Sequence, residues 1–292
     1  MASEPKFSVC ELTTIGLSFD EEVALYPQVG AQGIGIFEPK LPEGKDEDSL
    51  RKLREGGLKA TICIPAIMSV LPLVKFPGPE NPEERVEAMC AGIRRLAPFE
   101  PVSILCLTGA QGRWSEPEAR RIVVWGLREV GRVAAEVGVP IGLEPLHTSM
   151  REDWTIATTI EEAVDILEEV GDPGFGIIFD TWHLWDTPNL YEDIRRHGHR
   201  LVRAIHIDDW RNTTRGWNDR ALPGEGIVDL PAIFGALESA GFDGWYDVEI
   251  FSDDGRFEND YEDSLWKLDP AELISRSKAG FLRAWEARVV PV

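Results

Sequence analysis

The sequence predicts an α/β fold, a single closed (β/α)8 barrel spanning residues 1–292. Apolar, β-branched runs alternate with amphipathic stretches from end to end, and the unit recurs about every 30 residues. An open doubly wound sheet would instead place a Gly-rich phosphate loop after an early strand. The one candidate, GAQGIGIF from Gly30, has the wrong spacing and runs into a strand.

The first strand reads from 7 to 13, with a helix over 20–29, and the second from 33 to 38, with a helix over 46–55. The third, 59–64, precedes a helix over 82–96. After the fourth, 103–108, Ala119, Val123, Leu127, Val130, Ala134 and Val137 form one helical stripe, opened by a capping box of Ser115 and Glu118. The fifth strand, 140–146, leads to a second box, Thr158 with Glu161, ahead of Ala163, Ile166 and Leu167. Strands at 174–180, 202–208 and 245–251 alternate with helices at 190–196, 230–240 and 270–288. The acidic, Gly-containing stretch 252–269 reads as a loop over the barrel mouth.

Composition narrows the partners. With 51 acidic against 30 basic residues, a net charge of −21 repels a phosphate backbone and an anionic membrane surface alike. The four cysteines are widely spaced without a CxxC pair, as expected of reduced thiols, and Cys10, Cys63 and Cys106 lie in strand runs where a buried, inert thiol is expected. MASEPKFSVCEL lacks the pattern of a signal peptide, and no apolar run approaches the roughly 20 residues of a membrane span. A cytoplasmic protein is expected.

In such a barrel the C-terminal strand ends converge on one mouth, where active sites lie. The last four strands end in GLEPLH, FDTWH, HIDDW and DVEIF, which carry Glu144, Asp180, His206 and Glu249. Strand alternation puts Gly142 with Glu144, Ile178 with Asp180, and Ala204 with His206 on one face. If those faces point inward, the four residues form a cage of three carboxylates and one imidazole. Such a cage suits one divalent ion, Mn2+ first, with Mg2+, Co2+ or Zn2+ as alternatives, rather than a thiolate-rich structural zinc site.

GLEP, FDTWH, IHIDD, ALPGEG and DVEIF, in that order, resemble the xylose-isomerase-like superfamily of sugar isomerases and epimerases. Ketose 3-epimerases, inosose dehydratases, hydroxypyruvate isomerases and the endonuclease IV group belong to it. The resemblance is densest from Ile141 to Phe251. It implies that Glu144, Asp180, His206 and Glu249 bind the metal and that the two glutamates also form the acid–base pair. It further implies that His183 and Arg220, the latter opening an R-x-x-P-G pattern, contact substrate oxygens, and that the protein forms a homodimer. Trp182, in a loop at the mouth, is expected to pack on the sugar.

The implied activity is that of a sugar isomerase or epimerase in carbohydrate metabolism: proton abstraction beside a carbonyl, through a metal-stabilised cis-enediolate. Two departures from the ketose 3-epimerase pattern stand out. His147 replaces the Asn of EPLN, and Met150 occupies the place of a second substrate-binding Glu. A titratable His147 beside Glu144 would suit an alternative, a keto-sugar or keto-inositol dehydratase or other β-eliminating lyase. A second alternative is a non-catalytic sugar-binding barrel. The endonuclease reading fails on its ligands, because CIPAIMS and CLTGAQG carry no histidine and Asn218-Asp219-Arg220 is not D-x-H.

Overall fold

The computed structural model describes residues 4–289, so the first residues of the MASEPKF run and both ends of the expected 1–292 domain lie outside the described residues. The eight expected strands are all present and shorter than predicted. They are β1 Lys6–Cys10, β2 Gly33–Gly35, β3 in two pieces (Lys59–Ala60 and Ile62–Cys63), β4 Ser103–Cys106, β5 Ile141–Leu143, β6 Phe175–Ile177, β7 Ala204–Ile207 and β8 Trp245–Val248.

The ring closes by parallel pairing throughout. β1 lies between β8 and β2, with Val9 opposite both Val248 and Ile34. β3 divides at Thr61 because its first piece pairs with β2 and its second with β4, the stagger that a tilted barrel strand requires. β4, β5 and β6 follow in register, and β8 pairs with β7. The seam between β6 and β7 is thinner, held by the bridges Ile177 to Leu201 and Asp180 to His206.

Helices α1 Phe19–Leu25, α2 Asp46–Glu55, α3 Pro82–Leu96, α4 Glu116–Val137, α5 Ile160–Val170, α7 Leu190–His197, α8 Leu230–Ser239 and α9 Pro270–Glu286 surround the ring, with a short extra helix, α6 Thr181–Leu184, inserted after β6. The Ser115–Glu118 box opens α4 as expected. The second box shifts by one residue: Thr159 caps α5, and Glu162 Oε2 accepts from the Thr158 amide at 2.6 Å. Arg151 donates to both Thr158 and Glu162, which holds Thr158 outside the helix. α1 stops well short of its predicted end because Pro27 has no N–H to continue the helical ladder, although Tyr26 before it still has helical backbone angles.

The period-two alternation sorts the strand residues into two layers. Ile104, Ile141, Ile177, Ile205 and Val248 pack outward under the helices, whereas Leu105, Ile178 and Ala204 fill the barrel interior. Glu144, Asp180, His206 and Glu249 share the inward parity. The long loop 252–269 does lie over the mouth: Trp266 packs on Phe251 and Phe257 on Trp266, and Phe257 also meets Trp217 at 5.2 Å. Asp253 ties this loop together by accepting the amides of Gly255, Phe257, Glu258 and Asn259.

One close approach links the outer helices to the mouth. A Cβ at Gly280 in α9 would lie 1.9 Å from the carbonyl oxygen of Pro223, in the loop that follows Arg220. Backbone rather than a flexible side chain blocks it, so Gly280→Ala is expected to cost about 3 kcal/mol, at the upper end of overpacking penalties. Chemical denaturation checks this; an unchanged midpoint would show that the loop shifts freely.

Candidate active site

Asp180 shows how local sequence builds the site. It is the N-cap of α6, and its Oδ1 accepts the amides of Trp182 at 2.6 Å and His183 at 3.3 Å. That fixes the carboxylate and leaves Oδ2 facing the barrel axis. There His206 Nδ1 stands 3.9 Å from Asp180 Oδ2, 3.0 Å from Glu144 Oε1 and 3.7 Å from Glu249 Oε2. One ligand atom from each of Glu144, Asp180 and His206 lies within 4.8 Å of the others, and Cys10, His206 and Glu249 meet the same condition.

Arg220 enters from a short antiparallel ribbon that pairs Asp209–Trp210 with Arg220–Ala221. Asp209 pins the turn beyond it by accepting the amides of Gly224, Gly226 and Val228. Arg220 Nη1 reaches Asp180 Oδ2 at 3.2 Å, Glu249 Oε2 at 3.0 Å and Asp208 Oδ2 at 2.5 Å. Its guanidinium also lies against Trp182 and Phe251. All these charged groups are buried.

The electrostatics follow from crowding. Burial raises the Glu144 carboxyl to about 7, although the His206 hydrogen bond pulls it back. Burial would also lift Asp180, but the neighbouring His183, Arg220 and His206 hold it at about 2. Burial pulls the His206 imidazole down, and the charges of Glu249, Glu144 and Asp180 outweigh it, raising it to about 10. For Asp208, burial and the Asp180 charge push the carboxyl well up. Four carboxyl groups thus face one guanidinium and one imidazole, an acidic excess that favours a further cation.

His183 Nδ1 accepts the amide of His147 at 3.0 Å, which assigns the ring proton to Nε2, on the side of Arg220. Burial drives the ring down to about 3, so it is neutral near pH 7. Glu144, His183, Arg220 and Glu249 line a cavity of about 490 Å³, a figure that includes its open mouth.

Two expected site residues stand elsewhere. His147 does not line the cavity; as N-cap of the turn Thr148–Met150, it accepts the Ser149 amide at Nδ1, and its Nε2 faces Asp186. Those two partners hold the ring against Trp210 and away from Glu144. Trp182 is also absent from the cavity wall, because it is stacked under Trp210 at 4.5 Å with an interplanar angle of 28°. The tryptophans that line the cavity are Trp154 and Trp217.

Sequence reasoning assigned no role to Asp208, although strand parity places it on the face of His206. It also passed over Trp154, which carries no local signal, and it treated Cys10 as inert without placing it at the site. The Cys10 thiol lies 3.7 Å from Glu249 Oε1, and burial raises it well above the usual thiol range, so it stays protonated.

The family described as xylose isomerase-like TIM barrel matches residues 23–285. An inosose isomerase of Bacillus velezensis is 31% identical over 128 residues, covering 43% of this chain and 44% of the relative. A D-psicose 3-epimerase of Enterocloster bolteae is 32% identical over 133 residues, covering 45% of this chain and 40% of the relative. The chain thus spans less than half the length of these curated relatives. The crystal structure of protein SMc04130 from Sinorhizobium meliloti 1021 superposes with a TM-score of 0.84 at 27% identity, over 96% of this chain and 98% of that one. Among the described residues, no helix is long and apolar enough to cross a membrane.

Proposed function

The chain belongs to the xylose isomerase-like TIM barrel family, and from that premise we propose that it is a divalent-metal-dependent isomerase or epimerase of a monosaccharide or keto-sugar derivative. The supporting observation is the convergence of Glu144, Asp180 and Glu249 on His206 Nδ1, all within 3.9 Å and all buried.

Three carboxylates and one imidazole are a donor set for a hard divalent ion, Mn2+ ahead of Mg2+, Co2+ or Zn2+. When bound, such an ion supplies Lewis acidity to the substrate carbonyl and makes the neighbouring C–H more acidic. One of Glu144 and Glu249 takes that proton and the other returns it. Return to the same carbon gives an epimer; return to the neighbouring carbon interconverts aldose and ketose. Burial, which raises the Glu144 carboxyl in the metal-free site, would add to its proton affinity against the lowering effect of a bound cation. His183 Nε2–H and Arg220 face the cavity as donors to substrate hydroxyls, and its apolar lining keeps bulk water from the enediolate.

Incubation in D2O with Mn2+ and a panel of ketoses, aldoses and inososes is expected to give metal-dependent deuterium exchange. No exchange on any of them sinks the enolisation mechanism. Chelation is expected to abolish turnover, and Mn2+ at about 100 times its Kd to stabilise the protein by about 2.7 kcal/mol in thermal unfolding.

A dehydratase on the same carboxylate pair is the second reading. His147 no longer motivates it, since its ring lies off the cavity. A new enone absorbance during turnover would mark that outcome. A binding protein without turnover has no need of paired carboxylates at a metal, and it predicts saturable sugar binding without exchange.

A further inference from the structure

The polar groups around the cavity are confined to one side of the ring. Glu144 follows β5, His183 follows β6, Arg220 comes from the ribbon after β7, and Glu249 follows β8. The other side, around the ends of β2, β3 and β4, presents Phe37, Ile64, Met68, Leu105 and Leu107. A free hexose held by its carbonyl end on the carboxylate wall would turn its remaining hydroxyls toward side chains that offer no hydrogen bond, which costs binding. Met150 adds to the mismatch: it lines the cavity at the position where the resembled epimerases carry a second substrate-binding Glu.

A second observation says what the apolar side accepts. Trp154 meets Trp217 at 5.1 Å and Phe76 at 5.4 Å between ring centroids, and Trp217 meets Phe251 at 5.3 Å, all tilted or edge-on. All four rings line the cavity, and Phe76 and Trp217 are only half-buried. Further rings add to such a cluster in the same offset and edge geometries.

Building on the enolisation reading above, we propose that the substrate is a keto-sugar carrying an aromatic substituent. Its hydroxyketone end lies on the carboxylate wall, and its ring lies among Phe76, Trp154 and Trp217. The substituent replaces water on the apolar side and supplies binding that the missing hydroxyl contacts cannot.

Calorimetric titration of the Mn2+-loaded protein with phenyl and methyl 3-keto-β-D-glucosides tests this. The phenyl compound is expected to bind at least about tenfold more tightly. The ratio is expected to fall toward one in both Trp217→Ala and Phe76→Ala, two variants in separate loops, each checked for an unchanged far-UV spectrum. Equal affinity of the two glycosides, or a ratio unmoved by both substitutions, overturns the inference while deuterium exchange on either glycoside would keep the enolisation reading. Binding of neither glycoside, with no exchange, overturns both.

Discussion

Glu249→Gln is expected to lower turnover by at least about a thousandfold, within the range spanned by loss of a positioned acid or base. Glutamine keeps the shape of the side chain but removes the proton acceptor. It also removes one of the three carboxylates around His206 Nδ1 and one of the anions facing Arg220 Nη1 at 3.0 Å. Deuterium exchange and bound-metal content, measured on the same preparation, separate the two effects. Metal retained with exchange lost assigns Glu249 to proton transfer, whereas loss of both assigns it first to ligation. Exchange at more than about a tenth of the parent rate would exclude it from the chemistry.

Arg220→Met is expected to destabilise the protein by about 3–5 kcal/mol, the range for breaking a buried ion pair from one side. The guanidinium is the cation shared by Asp180, Asp208 and Glu249, and methionine would leave those buried carboxyls facing one another. In a chain of this size the loss corresponds to a fall in Tm of roughly 10 °C. Methionine fills much of the volume against Trp182 and Phe251, so the change reports mainly on charge. Arg220→Lys is expected to recover only part of the loss, since one ammonium lacks the planar fork. A Tm within about 2 °C of the parent would show that the carboxyls do not depend on this cation.

Strand parity brings Glu144, Asp180, His206 and Glu249 to one inner face because it is a local rule. Once Ile178 faces inward, Asp180 must do so too, and neither depends on distant parts of the chain. Parity would have found Asp208 equally well had it been carried two residues past His206. His147 was misplaced for the opposite reason. Its neighbour in sequence is Glu144, but its orientation depends on Ser149 through a turn and on Asp186 from another loop. Trp182 looked like a mouth residue, and the stacking of Trp210 from the far ribbon turned it into a buried support for Arg220.

By itself, the sequence determined the alternation of eight strands with their helices, the capping box that opens α4, and the inward parity of Glu144, Asp180, His206 and Glu249. Each follows from backbone periodicity or hydrogen bonding within a few residues. Only the tertiary structure decided that Cys10 touches Glu249 across 239 residues, that Arg220 threads between three carboxylates, and that one half of the mouth is apolar. Those facts depend on how the tilted ring closes and on which loops fold back over it, and no local rule encodes either.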